Sequence, residues 1–218
     1  MSVPPLFGKA EPADLRGGGA DGASTGGASE SRSASVGAGG SPGGGGGGES
    51  GVPAAPPHVW ELPFAMQPQE QINWCWAAVA ASVAQFYNAA TAWAQQHAVA
   101  QAVLGLPNCC QQGGCPACDI PRRLSEALNH TGNLDHFQPH PFTFPDVRDS
   151  VWLGHPMCAR VEAEGIGHFV VVSGYNAGLH WITVQDPSPC GLSFWPFQEF
   201  LSHYQHAWHC THAYWTQC

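Results

Sequence analysis

Cys75 stands where a polar, glutamine-rich loop gives way to an Ala/Val-rich segment: Gln67-Pro-Gln-Glu-Gln-Ile-Asn-Trp-Cys75-Trp-Ala-Ala-Val-Ala-Ala. Trp76, Val79, Ala80, Val83 and Phe86 recur at helical spacing, so a helix begins at Cys75 and buries one face. A helix start exposes unpaired backbone N–H groups and the positive dipole end. A thiol placed there has its thiolate favoured, which is what a cysteine nucleophile requires. Gln69 and Gln71, just upstream, can fold an amide donor back toward the sulfur. The competing reading of this stretch is a structural cysteine buried at a helix end.

A base and an orienting carboxylate come from further along. Gly165 to Tyr175 reads as a β-branched strand bounded by glycines, with His168 near its mouth. Asn176-Ala177-Gly178 is a turn signal with Gly178 suited to the left-handed position, and Leu179 to Asp186 is a second strand closed by Pro187. A turn centred on Ala177 sets Tyr175 opposite Leu179 and His168 opposite Asp186. Opposed residues of an antiparallel pair have Cβ atoms about 5 Å apart on one face. A carboxylate there fixes the ring and stabilises its charged form. The structural alternative is a satisfied strand-end His168 and a turn-forming Asp186, and a slip or bulge would undo the pairing.

The elements that must position these groups occupy only part of the chain. Of 27 Gly, 17 precede His58, whereas all 9 Trp follow it. Residues 1–57 carry one aromatic and little else to bury, so they are expected to form a disordered tail or linker. Residues 58–218 suffice for one domain. Leu62, Phe64 and Met66 alternate as a short edge strand. Helices are expected at Cys75 to Tyr87, at Thr91 to Leu104 with Gly105 as stop, and at Ile120 to His130 with Asp119 as N-cap, Pro121 in the first turn and Gly132 as stop. A fourth is expected from Phe144 to Leu153. Strands then dominate: Met157 to Glu162, the hairpin, and an aromatic closing strand around Trp208 to Trp215 after a short helix bearing Phe197, Phe200 and Leu201. Helices first and antiparallel strands after make the class α+β.

The formal charge of −9, with 7 basic residues and no basic run, argues against a nucleic-acid partner. No apolar run is long enough to span a bilayer, so no membrane partner is expected, and the domain reads as a monomer. The N-terminus lacks the apolar core of a secretory signal, yet all 9 cysteines lie in the folded part. Localisation is left open; export by a leaderless or effector-type route would fit both facts. Cys109, Cys110, Cys115 and Cys118 admit a zinc knuckle, disulfides or buried thiols. Adjacent Cys109 and Cys110 suit tetrahedral coordination poorly, and no second knuckle stands at ordinary spacing, so disulfides are the expectation. His203, His206, His209 and His212 recur every three residues, but in a strand that spacing throws them onto alternate faces. No metal site and no cofactor is expected.

Two motifs carry a resemblance. Gln69 to Trp76 resembles the papain-like pattern of a Gln six residues before a Cys-Trp pair. Gly167-His168-Phe169-Val170-Val171-Val172-Ser173-Gly174-Tyr175 with Asp186-Pro187 resembles the Gly-His-x-Val-Val-Val…Gly-Tyr…Asp-Pro pattern of bacterial papain-like peptidases. These include the peptidase domains of bacteriocin exporters and, closer through Asn73-Trp74-Cys75-Trp76-Ala77-Ala78, the protease effectors of plant-pathogenic bacteria. The resemblance spans about residues 62–215. It implies a papain-like fold, a helical half carrying Cys75 packed on an antiparallel sheet half, and hydrolysis of a protein or peptide substrate. By the same resemblance Cys75 is the nucleophile, His168 the base, Asp186 its orienter and Gln69 the oxyanion donor, with Gln71 as rival. Papain itself has Asn where Asp186 stands. A Cys-Cys pair ahead of the middle helix, as in effector relatives, weighs further against zinc. Those effectors cut a Val-Pro-x-Phe-Gly-x-Trp site in their own N-termini, which Val3 to Lys9 resembles with one residue added and no Trp. An inert peptide-binding module, or an acyl transferase or deamidase using the same residues, are the alternative functions.

Overall fold

The computed structural model describes residues 55–109, 116–188 and 191–218. The expectations for residues 1–54, including the cleavage-site likeness at Val3 to Lys9, and for Cys110 and Cys115, lie outside the described residues.

In chain order the elements are β1 (Val59–Glu61), α1 (Cys75–Tyr87), α2 (Gln96–Leu104), α3 (Leu124–Thr131), β2 (Leu134–Gln138), α4 (Phe144–Trp152), β3 (Met157–Ala163), β4 (Ile166–Asn176), β5 (Trp181–Asp186), β6 (Gly191–Pro196), α5 (Phe197–His203) and β7 (His209–Thr216). All seven strands join one antiparallel sheet in the order β2-β7-β3-β4-β5-β6, with β1 added against the Gly174–Asn176 end of β4. The class is α+β, with α1, α2 and α3 packed together and α1 also against β4. Among the described residues no helix is long and apolar enough to cross a membrane.

Helix α1 is the centre of the core. Every residue from Cys75 to Ala84 is buried, so the amphipathic pattern read from the sequence understates its enclosure. The alanines at 77, 78, 80 and 81 are fully buried alongside Val79 and Val83. Full burial of a valine side chain such as Val79 or Val83 stabilises the fold by about 1.5–3 kcal/mol.

Several boundaries move for identifiable reasons. The edge strand is Val59–Glu61, not Leu62 to Met66; Leu62 and Phe64 turn inward instead, and the Leu62 N–H reaches the Ser173 carbonyl at 2.8 Å. Helix α2 starts at Gln96, later than expected, and ends at left-handed Gly105. Asp119 is not the N-cap of α3. That helix begins at Leu124 after extended Arg123, with Gly132 closing it at φ 79°, and Asp119 is used elsewhere. Strands β2 and β6 have weak sequence signals. The first is mostly exposed, and the second alternates only partly.

Candidate active site

Three elements converge on the chemistry. Cys75 is the first residue of α1, with Trp74 as N-cap; no side chain caps this end and no acidic residue occupies the first turn. His168 lies near the start of β4 and Asp186 at the end of β5. His168 Nε2 and Asp186 Oδ1 are 2.7 Å apart, and both residues are 2% exposed. His168 also hydrogen-bonds with Cys75, which is 8% exposed. With Nε2 committed to Asp186, Nδ1 is the ring nitrogen left for the sulfur.

The electrostatics follow from burial against pairing. Burial alone would lower the His168 pKa, but the hydrogen bonds with Asp186 and Cys75, and their charges, outweigh it and raise it well above the ordinary imidazole value. Burial would raise Asp186; the His168 hydrogen bond and charge, with the Ser188 backbone N–H, hold it below the ordinary carboxylate value. The pair therefore favours imidazolium beside carboxylate. Buried Cys158 and Cys210 have their thiol pKa values pushed up by desolvation.

The hairpin register differs from the one read from sequence. Tyr175 faces Ile182 and Gly174 faces Thr183, so the connection is longer, with His180 rather than Gly178 in the left-handed region at φ 56°. A bulge at Ser173 then shifts the ladder, so that Val172 faces Val184 and Val171 faces Gln185. His168 and Asp186 meet along a diagonal, not as direct partners. The residue ahead of His168 is glycine for a steric reason. A Cβ on Gly167 would lie 2.7 Å from the Arg160 guanidinium, and Arg160 is itself buried.

Gln69 sits in the loop before α1, its backbone N–H on the Pro187 carbonyl at 2.7 Å, which ties that loop to the turn after Asp186. Its amide Nε2 donates to the carbonyls of Gln71 at 3.0 Å and Ile72 at 2.8 Å, while Oε1 is buried without a hydrogen-bond partner.

Two supports were not legible in the sequence. One is the segment Cys118 to Ile120. The Trp74 indole donates to the Cys118 carbonyl at 2.7 Å, the Asn73 N–H to Asp119 Oδ1 at 2.8 Å and the Trp76 indole to the Ile120 carbonyl at 3.0 Å. A Cys109–Cys118 disulfide anchors that segment, so these two cysteines are not thiolate ligands for zinc. The other is the turn after α5. Tyr204 Oη donates to Asp186 Oδ2 at 2.7 Å, Gln205 Nε2 donates to the same oxygen at 3.1 Å, and Trp208 meets the His168 ring edge-on at 6.1 Å. The only sequence signal for that turn was the aromatic richness of the C-terminus.

With this geometry in view, comparison with known proteins is decisive for the family. The model of the Peptidase_C39 like family matches residues 61–212. The chain belongs to that family. It has the papain-like cysteine peptidase fold, in agreement with the helical half and antiparallel sheet described above. Among solved structures it is similar to the peptidase domain of Streptococcus ComA, described as a bi-functional ABC transporter involved in a quorum-sensing pathway. That match is 20% identical, covers 71% of this chain and 99% of the other, and has a TM-score of 0.47. No curated protein matches.

Proposed function

We propose that this member of the family is a cysteine endopeptidase in which Cys75, His168 and Asp186 act as nucleophile, base and orienter on a protein or peptide substrate. The observation that carries the reading is the continuous contact from Asp186 through His168 to a cysteine at an uncapped helix start.

Cys75 Sγ, as thiolate beside the His168 imidazolium, attacks the scissile carbonyl carbon and forms a C–S bond as the carbonyl electrons move onto oxygen. The first N–H groups of α1 face the developing oxyanion, and the Gln69 amide is the proposed side-chain donor. As the tetrahedral species collapses, the C–N bond breaks and His168 gives its proton to the leaving amine. Water, deprotonated by His168, then attacks the thioester; the C–S bond breaks and the acid product leaves. Asp186 keeps the ring aimed and its charged form favoured at each proton transfer. For Gln69 to serve, one of its two loop hydrogen bonds must be exchanged for the oxyanion.

A mixed peptide library incubated with the wild-type chain and with Cys75→Ala tests this. Cleavage by the wild type alone supports it. Acyl transfer to an added amine, or deamidation without cleavage, would point to the transferase or deamidase reading. Peptide retention with no covalent change would indicate a binding module.

A further inference from the structure

The turn that follows α5 is built in an uncommon way. Gln205 and His206 are consecutive non-glycine residues in the left-handed region, at φ 47° and 73°, between Tyr204 and Trp208, which form an isolated β-bridge. L side chains adopt that region rarely, and where surrounding structure enforces it the cause is often functional. Here the forced backbone has a visible result. Tyr204 is 1% exposed and donates to Asp186 Oδ2, and Gln205 donates both to that oxygen and to the Tyr204 hydroxyl oxygen at 3.1 Å.

The other carboxylate oxygen is equally engaged. Oδ1 accepts from His168 Nε2 and from the Ser188 backbone N–H at 2.8 Å. Four donors therefore surround a carboxylate that is itself 2% exposed. Rotating the group would break all four bonds, and protonating it would turn an acceptor toward a donor. The groups facing it are His168 from β4, Tyr204 and Gln205 from the turn after α5, and Ser188 from its own turn, while Cys75 from α1 faces His168 from the other side.

We infer that Tyr204 and Gln205 are positioning residues for the proposed peptidase, holding the Asp186 carboxylate ionised and oriented so that Oδ1 stays directed at His168. The inference rests on the peptidase reading for its consequence in turnover, but not for its effect on Asp186 itself. Tyr204→Phe removes the donor and keeps the ring that packs edge-on against Trp195 and Phe200. Gln205→Asn retracts the amide by one methylene and keeps a residue type that tolerates the left-handed region.

The experiment pairs a ¹³C-carboxyl titration of Asp186 with steady-state peptide cleavage, on the full chain, for both variants and their combination. The double variant is expected to titrate at Asp186 at least one pH unit above the wild type, and to lose at least tenfold in kcat with KM within twofold. Should the double variant fail to fold by circular dichroism, Tyr204→Phe alone is read in the same way. An unchanged titration would overturn the inference, and so would a shifted titration with wild-type kcat. If the wild type cleaves nothing, the peptidase reading fails, and the titration alone then decides whether the two donors hold the carboxylate.

Discussion

His168 and Asp186 are joined across a diagonal of the β4–β5 ladder, and a single bulged residue, Ser173, puts them on the same face. Continued without a break, the inner register would bring Asp186 opposite Val171 and turn its side chain away from His168. The bulge shifts the ladder by one and restores the shared face. Gly174 accompanies it because a Cβ there would lie 2.7 Å from Thr183 Oγ1. Gly174→Val is therefore expected to lower stability by about 1–3 kcal/mol through overpacking. Urea unfolding checks it, with cleavage of peptide falling more than global stability at low denaturant.

The buried pair makes stability depend on pH with a defined sign. His168 has a raised folded pKa of about 10, so its contribution is fully present below the ordinary imidazole value and is lost as pH rises through about 10. Asp186 is lowered, so its contribution is present above the ordinary carboxylate value and is lost as pH falls toward about 2. Asp186→Ala is expected to cost about 3–5 kcal/mol near pH 5.5, since it deprives the buried imidazole of its carboxylate partner. Thermal unfolding across pH should show the gap to wild type narrowing toward pH 10.

In the proposed mechanism Gln69 supplies the side-chain oxyanion donor, and Gln71 is its rival. Gln69→Ala is expected to lower kcat by about 10²–10³. Gln71→Ala, whose backbone carbonyl rather than side chain meets the Gln69 amide, is expected to change it less than tenfold. Steady-state kinetics on one peptide would reverse the assignment if the two effects were exchanged.

The Cys109–Cys118 disulfide anchors the segment Cys118 to Ile120, which holds Trp74, Asn73 and Trp76 around Cys75. Cys109→Ser is expected to lower stability by about 2–3 kcal/mol, or roughly 5–10 °C in Tm for a domain of this size. Turnover should fall with it, because the segment that aligns the start of α1 is loosened. Calorimetry and cleavage measured together check both parts.

Sequence carried the helix at Cys75, the β4–β5 hairpin and the α+β class because each has a strong local period or punctuation: Ala/Val at helical spacing, a β-branched run between glycines, Gly105 and Gly132 as stops. The hairpin register differs from the sequence pattern because the turn extends to His180 and because a bulge leaves no mark beyond a Ser-Gly pair. Asp119 looked like a cap for the helix after it, yet it serves the loop before Cys75, 46 residues earlier. Tyr204 and Gln205 were invisible for the same reason: what they do depends on a partner brought near only by folding.

The most direct measurement is the rate of Cys75 alkylation by iodoacetamide at pH 6, mapped by peptide mass spectrometry in wild type and His168→Ala. A thiolate paired with imidazolium should make Cys75 react at least tenfold faster than Cys158, Cys210 or exposed Cys218, and His168→Ala should abolish that advantage. Equal, slow labelling of these four described cysteines, or a fast Cys75 indifferent to the loss of His168, would contradict the proposed chemistry.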